Sequence, residues 1–350
     1  MRSILGIFLF SFLVSLYACV DSYPPDVGIH TPKLIVDGLI SNQPGPYVVR
    51  LSFSQPYISR DPTAYVSGAT VVIQDNQGNK EQLLETNPGE YRTKANGLRG
   101  TVGNAYFLEI KLTNGKQYRS KPEVLAASPQ IDTVSSVFRP GNVVKDGFDA
   151  FVEFKDDPNQ PNYYRWKWKH YSRVSLCKFV KRAPPEPPIY VYYNCCSQCW
   201  NIESSTKLDL QSDAFINGNK VKHYLTTVPY DSTKPYNLVV EQYSLTKSAY
   251  EFWNQTNTQI NNSGGIFDAP PATILGNVYN PDDPHDQALG YFNVAGLTVK
   301  TVYVNRKNAP RPPYTITPTV RNFVYSTTCE PCKDGLYRTP NTPPGWMDIE

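Results

Sequence analysis

The stretch Tyr106-Phe107-Leu108-Glu109-Ile110-Lys111-Leu112-Thr113-Asn114-Gly115 carries the reading of the fold. Tyr106, Leu108, Ile110 and Leu112 fall on one side of an extended chain, with Glu109 and Lys111 on the other. That period of two marks a strand with one face on a core and one toward water. Asn114-Gly115 supplies the left-handed backbone of a tight hairpin turn, so Gln117 to Lys121 should return antiparallel to it. Working back toward the N-terminus, Val49, Leu51 and Phe53 alternate with Arg50, Ser52 and Ser54. Ala69 to Gln74 is another strand candidate, closed by the turn Asp75-Asn76-Gln77-Gly78, and Lys33 to Ile40 is the first of the series. Six or seven short strands between residues 33 and 126 describe an Ig-like β-sandwich.

Beyond it, Ala126 to Ile131 with Pro129 reads as a boundary, and residues 127–328 as a second β-rich domain. Phe148, Ala150, Val152 and Phe154 share one strand face. Tyr164, Trp166 and Trp168 form another row, with Arg165, Lys167 and Lys169 opposite. Ala183 to Pro188 is too rich in proline to join a ladder. Tyr190 to Tyr193, Tyr236 to Tyr243, Ile274 to Tyr279 and Leu289 to Asn305 read as further strands. One helix is expected near 246–262: Ser248 and Glu251 suit a capping box, and Ala249, Phe252 or Trp253, Thr256 and Ile260 recur at helical spacing before Ser263-Gly264-Gly265. The expected class is therefore mainly β, a sandwich followed by a β-rich domain with one α-helix and a cysteine- and proline-rich tail over 329–350.

Composition agrees, with 25 tyrosines and 31 prolines against two methionines in 350 residues. Thirty-four basic and 31 acidic side chains give a net charge of +3, which is no footprint for nucleic acid. The first residues set the expected compartment. Arg2 precedes an apolar run, Ile4 to Leu16, too short to span a bilayer but suited to an export signal. Leu16-Tyr17-Ala18-Cys19 places a small residue before a cysteine, the pattern of a lipoprotein signal. Residues 1–18 are then a leader, Cys19 the lipid anchor, and 19–32 anchor and tether. An ordinary secretory leader with Cys19 in a disulfide is the other reading.

Six cysteines follow: Cys177, Cys195, Cys196, Cys199, Cys329 and Cys332. An even number in an exported chain favours disulfides tying the tail to the middle of the chain. The rival is zinc, because Cys196-Ser197-Gln198-Cys199 and Cys329-Glu330-Pro331-Cys332 are two CxxC pairs.

Catalytic signatures are missing: there is no G-x-S-x-G, no H-E-x-x-H and no phosphate-cradling glycine loop. The densest polar cluster is Asp282, Asp283, His285 and Asp286, which suits either a cation or, better, a solvated turn shaped by Pro281 and Pro284. An envelope hydrolase would have to pair His285 with Asp282 or Asp286. Trp166 and Trp168 suit a stacking platform or, better, a core; Tyr192 and Tyr193 beside the proline-rich loop are surface contact candidates. No cofactor is expected.

Several segments resemble a known family. Leu34-Ile35-Val36-Asp37-Gly38-Leu39-Ile40, with Gly45-Pro46-Tyr47-Val48-Val49-Arg50-Leu51-Ser52, is similar to the opening of the Bacteroidota lipoproteins called domain of unknown function 4249. Tyr163-Tyr164-Arg165-Trp166, Tyr250-Glu251-Phe252-Trp253, Gly264 to Pro271, Ile274 to Val278, Asp283-Pro284 and Leu289-Gly290-Tyr291-Phe292 continue the pattern in order. The resemblance implies a lipid-anchored cell-envelope protein typically encoded beside a TonB-dependent outer-membrane receptor. Together with the anchor and the sheet domains, it leads to the expectation of an accessory lipoprotein of that nutrient uptake system, on either face of the outer membrane, binding ligand, receptor or both. It implies no reaction and no catalytic residue. Gly38, Gly276 and Gly290 are expected where the backbone needs room. The alternative is a structural or adhesion lipoprotein of the envelope without a small ligand.

Overall fold

A computed structural model of the chain describes residues 31–56, 61–141, 145–174, 177–180, 198–262, 273–313, 324–329 and 331–347. The leader, Cys19, most of the tether, Tyr192, Tyr193, Cys195 and Cys196 lie outside the described residues.

The protein is mainly β, with four sheets and one α-helix among the described residues. The stretch read first is the strand Ala105–Lys111, paired antiparallel with Gln117–Ser120 and Thr70–Asp75. Gly115 sits at φ +87° and Gly78 at φ +88°, the left-handed turns that the two turn sequences require. These strands belong to a six-stranded sheet that faces part of an 11-stranded one. Between them lies a core including Val36, Val49, Leu51, Ile73, Leu108 and Phe292.

The large sheet runs Arg338–Thr339, Trp200–Ser204, Tyr163–Arg173, Tyr236–Leu245, Leu289–Val304, Leu34–Ser41, Val48–Phe53, Glu90–Arg92, Leu84–Asn87. Leu34–Ser41 pairs in parallel with Leu289–Val304, matching Val36 with Gly290 and Ile40 with Val294. The expected boundary at 126/127 is thus crossed by a continuous sheet. The early strand could not reveal this, because its partner lies some 255 residues later in the chain.

The second core lies farther along the same face of the large sheet. A three-stranded sheet of Ile131–Arg139, Gly147–Lys155 and Lys220–Pro229 supplies Phe148, Ala150, Val152 and Phe154 to it. Tyr164, Trp166, Leu238 and Val240 meet them from the large sheet. The 16-residue strand Leu289–Val304 serves both cores, with Phe292 and Val294 in the first and Val304 in the second.

The opposite face of the large sheet carries the helix, Lys247–Asn261. Ala249 and Phe252 pack on Tyr243, Leu245, Tyr291 and Leu297. Tyr236–Leu245 is consequently buried at every position, covered on both faces. The helix begins at Thr246, not at the expected Ser248 capping box: the Thr246 hydroxyl accepts from the Ala249 N–H at 3.2 Å. Ser248 is otherwise engaged, donating to Glu123 at 2.9 Å. The buried Glu123 also accepts from Thr246, Tyr291 and Asn277, locking the helix start to the first core.

A disulfide joins Cys199 to Cys332 across 133 residues of sequence, so the tail is tied to the middle of the chain. That bond takes one sulfur from each CxxC pair and removes both as thiolate ligands, which overturns the four-cysteine zinc alternative. In the two-stranded sheet, Cys177 is the register partner of Cys329.

Candidate functional site

The helix does not cover the outer face of the large sheet completely. Beside it, a cleft of about 240 Å³ opens, lined by Asp37, Leu39, Arg165, Lys167, Tyr243, Leu245, Trp253 and Asn293. Its floor follows from strand alternation. Arg165 and Lys167 stand on Tyr163–Arg173, on the side opposite Tyr164 and Trp166, and their register partners are Tyr243 and Glu241. Leu39 and Asp37 come from the parallel strand beyond, and Asn293 from the long strand between.

The cations here lack the partners that sequence would give them. Glu241 stands opposite Lys167, but both of its oxygens are taken: Lys169 Nζ donates to one at 2.7 Å and the Tyr243 hydroxyl to the other at 2.7 Å. Burial works against the Glu241 charge, yet its pKa is lowered by Lys169 and these hydrogen bonds, so it stays ionised. Lys167 makes no hydrogen bond or ion pair among the described residues, and its ammonium lies 5.5 Å from the Tyr243 ring centre. Burial, followed by the charge of Arg165, brings the Lys167 pKa down to about 8. Burial likewise lowers that of Arg165. The Arg165 guanidinium stacks 4.2 Å from the Trp253 ring centre, and its buried Nε has no partner. Asp37 is mostly exposed at the mouth and leans 3.8 Å from Arg50.

The aromatic wall is fixed. Trp253 Nε1 donates to Asn293 Oδ1 at 2.7 Å, while Asn293 Nδ2 donates to the Gly38 carbonyl at 3.1 Å. The indole is thus pinned to the sheet across the helix–sheet interface, with the Arg165 guanidinium over its ring. A cationic fork, a second cation, one carboxylate at the mouth and apolar walls thus line one cleft, groups whose chemistry suits a small anion.

The residues singled out from sequence lie elsewhere. Trp166 is core: it is 1% exposed, stacks on His223 at 3.9 Å and donates to Gln242 at 3.0 Å. Trp168 lines a separate and larger cleft of about 470 Å³ with Ile202, Asp209 and Tyr224. Asp282, Asp283 and His285 are exposed in a turn, where the Asp283 carboxylate accepts from the His285 backbone N–H at 3.0 Å. Asp286 points away from them, accepting from Lys116 at 2.8 Å, Tyr118 at 3.0 Å and Asn280 at 3.2 Å. His285 therefore does not face Asp286 as an acid–base partner. A histidine–aspartate pair does occur at His223 and Asp209, at 2.9 Å, but the other ring nitrogen of His223 is held by Gln211 at 3.0 Å. With both nitrogens occupied, that ring has none to offer a nucleophile.

Arg165 and Lys167 were legible only as the polar side of a strand. Three cations at period two, facing a neighbouring strand with a single carboxylate at Glu241, were the available signal.

A search of curated proteins finds no match. The family model described as Domain of unknown function (DUF4249) matches residues 20–301, most of the chain. The chain belongs to that family, as the order of its motifs led one to expect.

Proposed function

We propose that this protein is a lipid-anchored accessory protein of an outer-membrane, TonB-dependent nutrient uptake system, and that it works by binding ligand, receptor or both rather than by catalysis. The observation that carries the reading is the preformed cleft of Arg165, Lys167 and Trp253, whose two half-buried cations face a single lining carboxylate, the mostly exposed Asp37. Such a site recognises a charged group and holds it. The lipoprotein pattern ending at Cys19 supports the location. A tether restricts the search for a membrane partner to two dimensions and raises its effective concentration.

The test is a mild-detergent pull-down of the tagged full chain from outer membranes, with partners identified by mass spectrometry. Stoichiometric recovery of a TonB-dependent receptor is the expected result. Recovery of the protein alone, or with peptidoglycan-associated proteins, would transfer the weight to a structural or adhesion role.

A further inference from the structure

We propose that the cleft beside the helix is a binding site for a small organic carboxylate with an aromatic or apolar body, Arg165 and Lys167 taking the carboxylate and Trp253, Tyr243, Leu39 and Leu245 enclosing the body. This goes beyond the accessory reading and holds whether or not a receptor is the partner.

Four observations meet here. First, the charges of the site do not cancel within it. Lys169 and Glu241 neutralise each other at 2.7 Å, and Asp37, the one carboxylate lining the cleft, offsets only one of the two cations Arg165 and Lys167, so one positive charge is left without a counter-charge. A ligand anion supplies that charge. Second, the guanidinium is already oriented. Its carbon lies 4.2 Å from the centre of the Trp253 ring, which limits where the side chain can swing, and the guanidinium donates to no protein acceptor among the described residues. Arginine held this way grips a planar two-oxygen group through paired N–H bonds. Third, the cleft has the right volume. A cavity of about 150 Å³ takes benzene, so the 240 Å³ here admits one ring with a carboxylate, not an extended chain. Fourth, Asp37 at the mouth repels added negative charge, which favours a monoanion over a phosphate-type dianion.

The charged and titratable groups facing Lys167 are Arg165 and Lys169 on its own strand, Glu241 and Tyr243 on the neighbouring strand and Asp37 on the strand beyond. An anion seated between Arg165 and Lys167 favours the protonated lysine. Binding at mildly alkaline pH therefore draws a proton from solution.

The experiment is titration calorimetry of the full chain with three probes: benzoate, its neutral analogue benzamide, and inorganic phosphate. Benzoate should bind with one-to-one stoichiometry, and benzamide and phosphate at least about tenfold more weakly. Near pH 8.5, benzoate heats measured in two buffers of different ionisation enthalpy should reveal net proton uptake. Lys167→Met should abolish that uptake and weaken benzoate at least about tenfold. Arg165→Lys, which keeps the charge and loses the fork, should weaken it without abolishing the uptake. Absence of benzoate binding to the unaltered chain, equal binding of benzamide, or unchanged affinity in Lys167→Met would each overturn the proposal. Because the titration uses the isolated chain, its result is independent of whether a receptor co-purifies.

Discussion

Replacing Lys167 by methionine should make the protein more stable at neutral pH while emptying the cleft of function. The lysine ammonium sits over the Tyr243 ring with no hydrogen bond to a carboxylate, and its pKa falls from 10.5 to about 8. Below pH 8 the side chain is charged in both the folded and the unfolded chain, so the full burial penalty opposes folding. Between about 8 and 10.5 the folded protein releases its proton first, and stability rises with pH as the penalty is relieved. A tenfold change in proton affinity corresponds to about 1.4 kcal/mol, so the penalty is at most about 3 kcal/mol. Partial solvent access at the tip reduces it, and giving up the cation–π attraction to Tyr243 costs the variant about 0.5–1 kcal/mol. Methionine keeps most of the packing of the stem. The net expectation is a gain of about 1–2 kcal/mol at pH 7, shrinking to nothing above the ordinary lysine range. Urea unfolding of both chains at several pH values, followed by tryptophan fluorescence, measures it directly. A variant less stable than the parent at pH 7, or a difference that does not change with pH, would refute this account of Lys167.

Substitutions at three other positions probe the scaffold. Gly290→Ala should destabilise by at least about 3 kcal/mol, because φ is +81° there and an added Cβ would lie 2.1 Å from the Val36 carbonyl oxygen, in the ladder that joins first strand to last. An unchanged thermal midpoint would contradict this. Glu123→Ala should cost about 2–4 kcal/mol by stripping the acceptor from Thr246, Ser248, Tyr291 and Asn277, and Glu123→Gln should cost less. Burial outweighs those hydrogen bonds and raises the Glu123 pKa, so its contribution is fullest in acid and is lost as pH rises through the elevated value. Stability measured against pH should be flatter in the glutamine variant, and an identical slope would count against the assignment. Cys332→Ser opens a loop of 133 residues and should lose up to about 5 kcal/mol of loop-closure stabilisation. Limited proteolysis should then cut within residues 331–347 sooner than in the parent chain; equal resistance would show that the strand pairing of Arg338–Thr339 and the contacts of Trp346 and Met347 hold the tail without the disulfide.

Local patterns were legible in the sequence; the way layers cover one another was not. The alternation of Tyr106, Leu108, Ile110 and Leu112 and the Asn114-Gly115 turn settled a hairpin, because period and turn chemistry are properties of adjacent residues. The helix was visible for the same reason, although its cap moved to Thr246 once Ser248 found Glu123 from a distant strand. Arg165, Lys167 and Lys169 had the spacing of a solvated face. Whether that face meets water depends on a helix some 80 residues later, and strand periodicity carries no information about it. Tyr236–Leu245 shows the same limit, since burial on both faces erases the alternation. Gly276 and Gly290 were expected where backbones crowd. They do crowd, an added Cβ on Gly276 lying 1.6 Å from the Gly290 carbonyl oxygen, but the sequence did not say that the two met each other. Nor could six cysteines reveal that Cys199 chooses Cys332.

The position of the first strand has a mechanical consequence. Leu34–Ser41 lies inside the large sheet, bonded on one side to Val48–Phe53 and on the other to Leu289–Val304. Tension applied to the chain ahead of Leu34 acts along the strand axis. It must slide the strand past two neighbours at once, straining both ladders together instead of peeling bonds one at a time. The neighbour on the parallel side belongs to both cores, so the pull is distributed over the whole body. A pull on the front end of the chain is therefore met by both ladders of the first strand together.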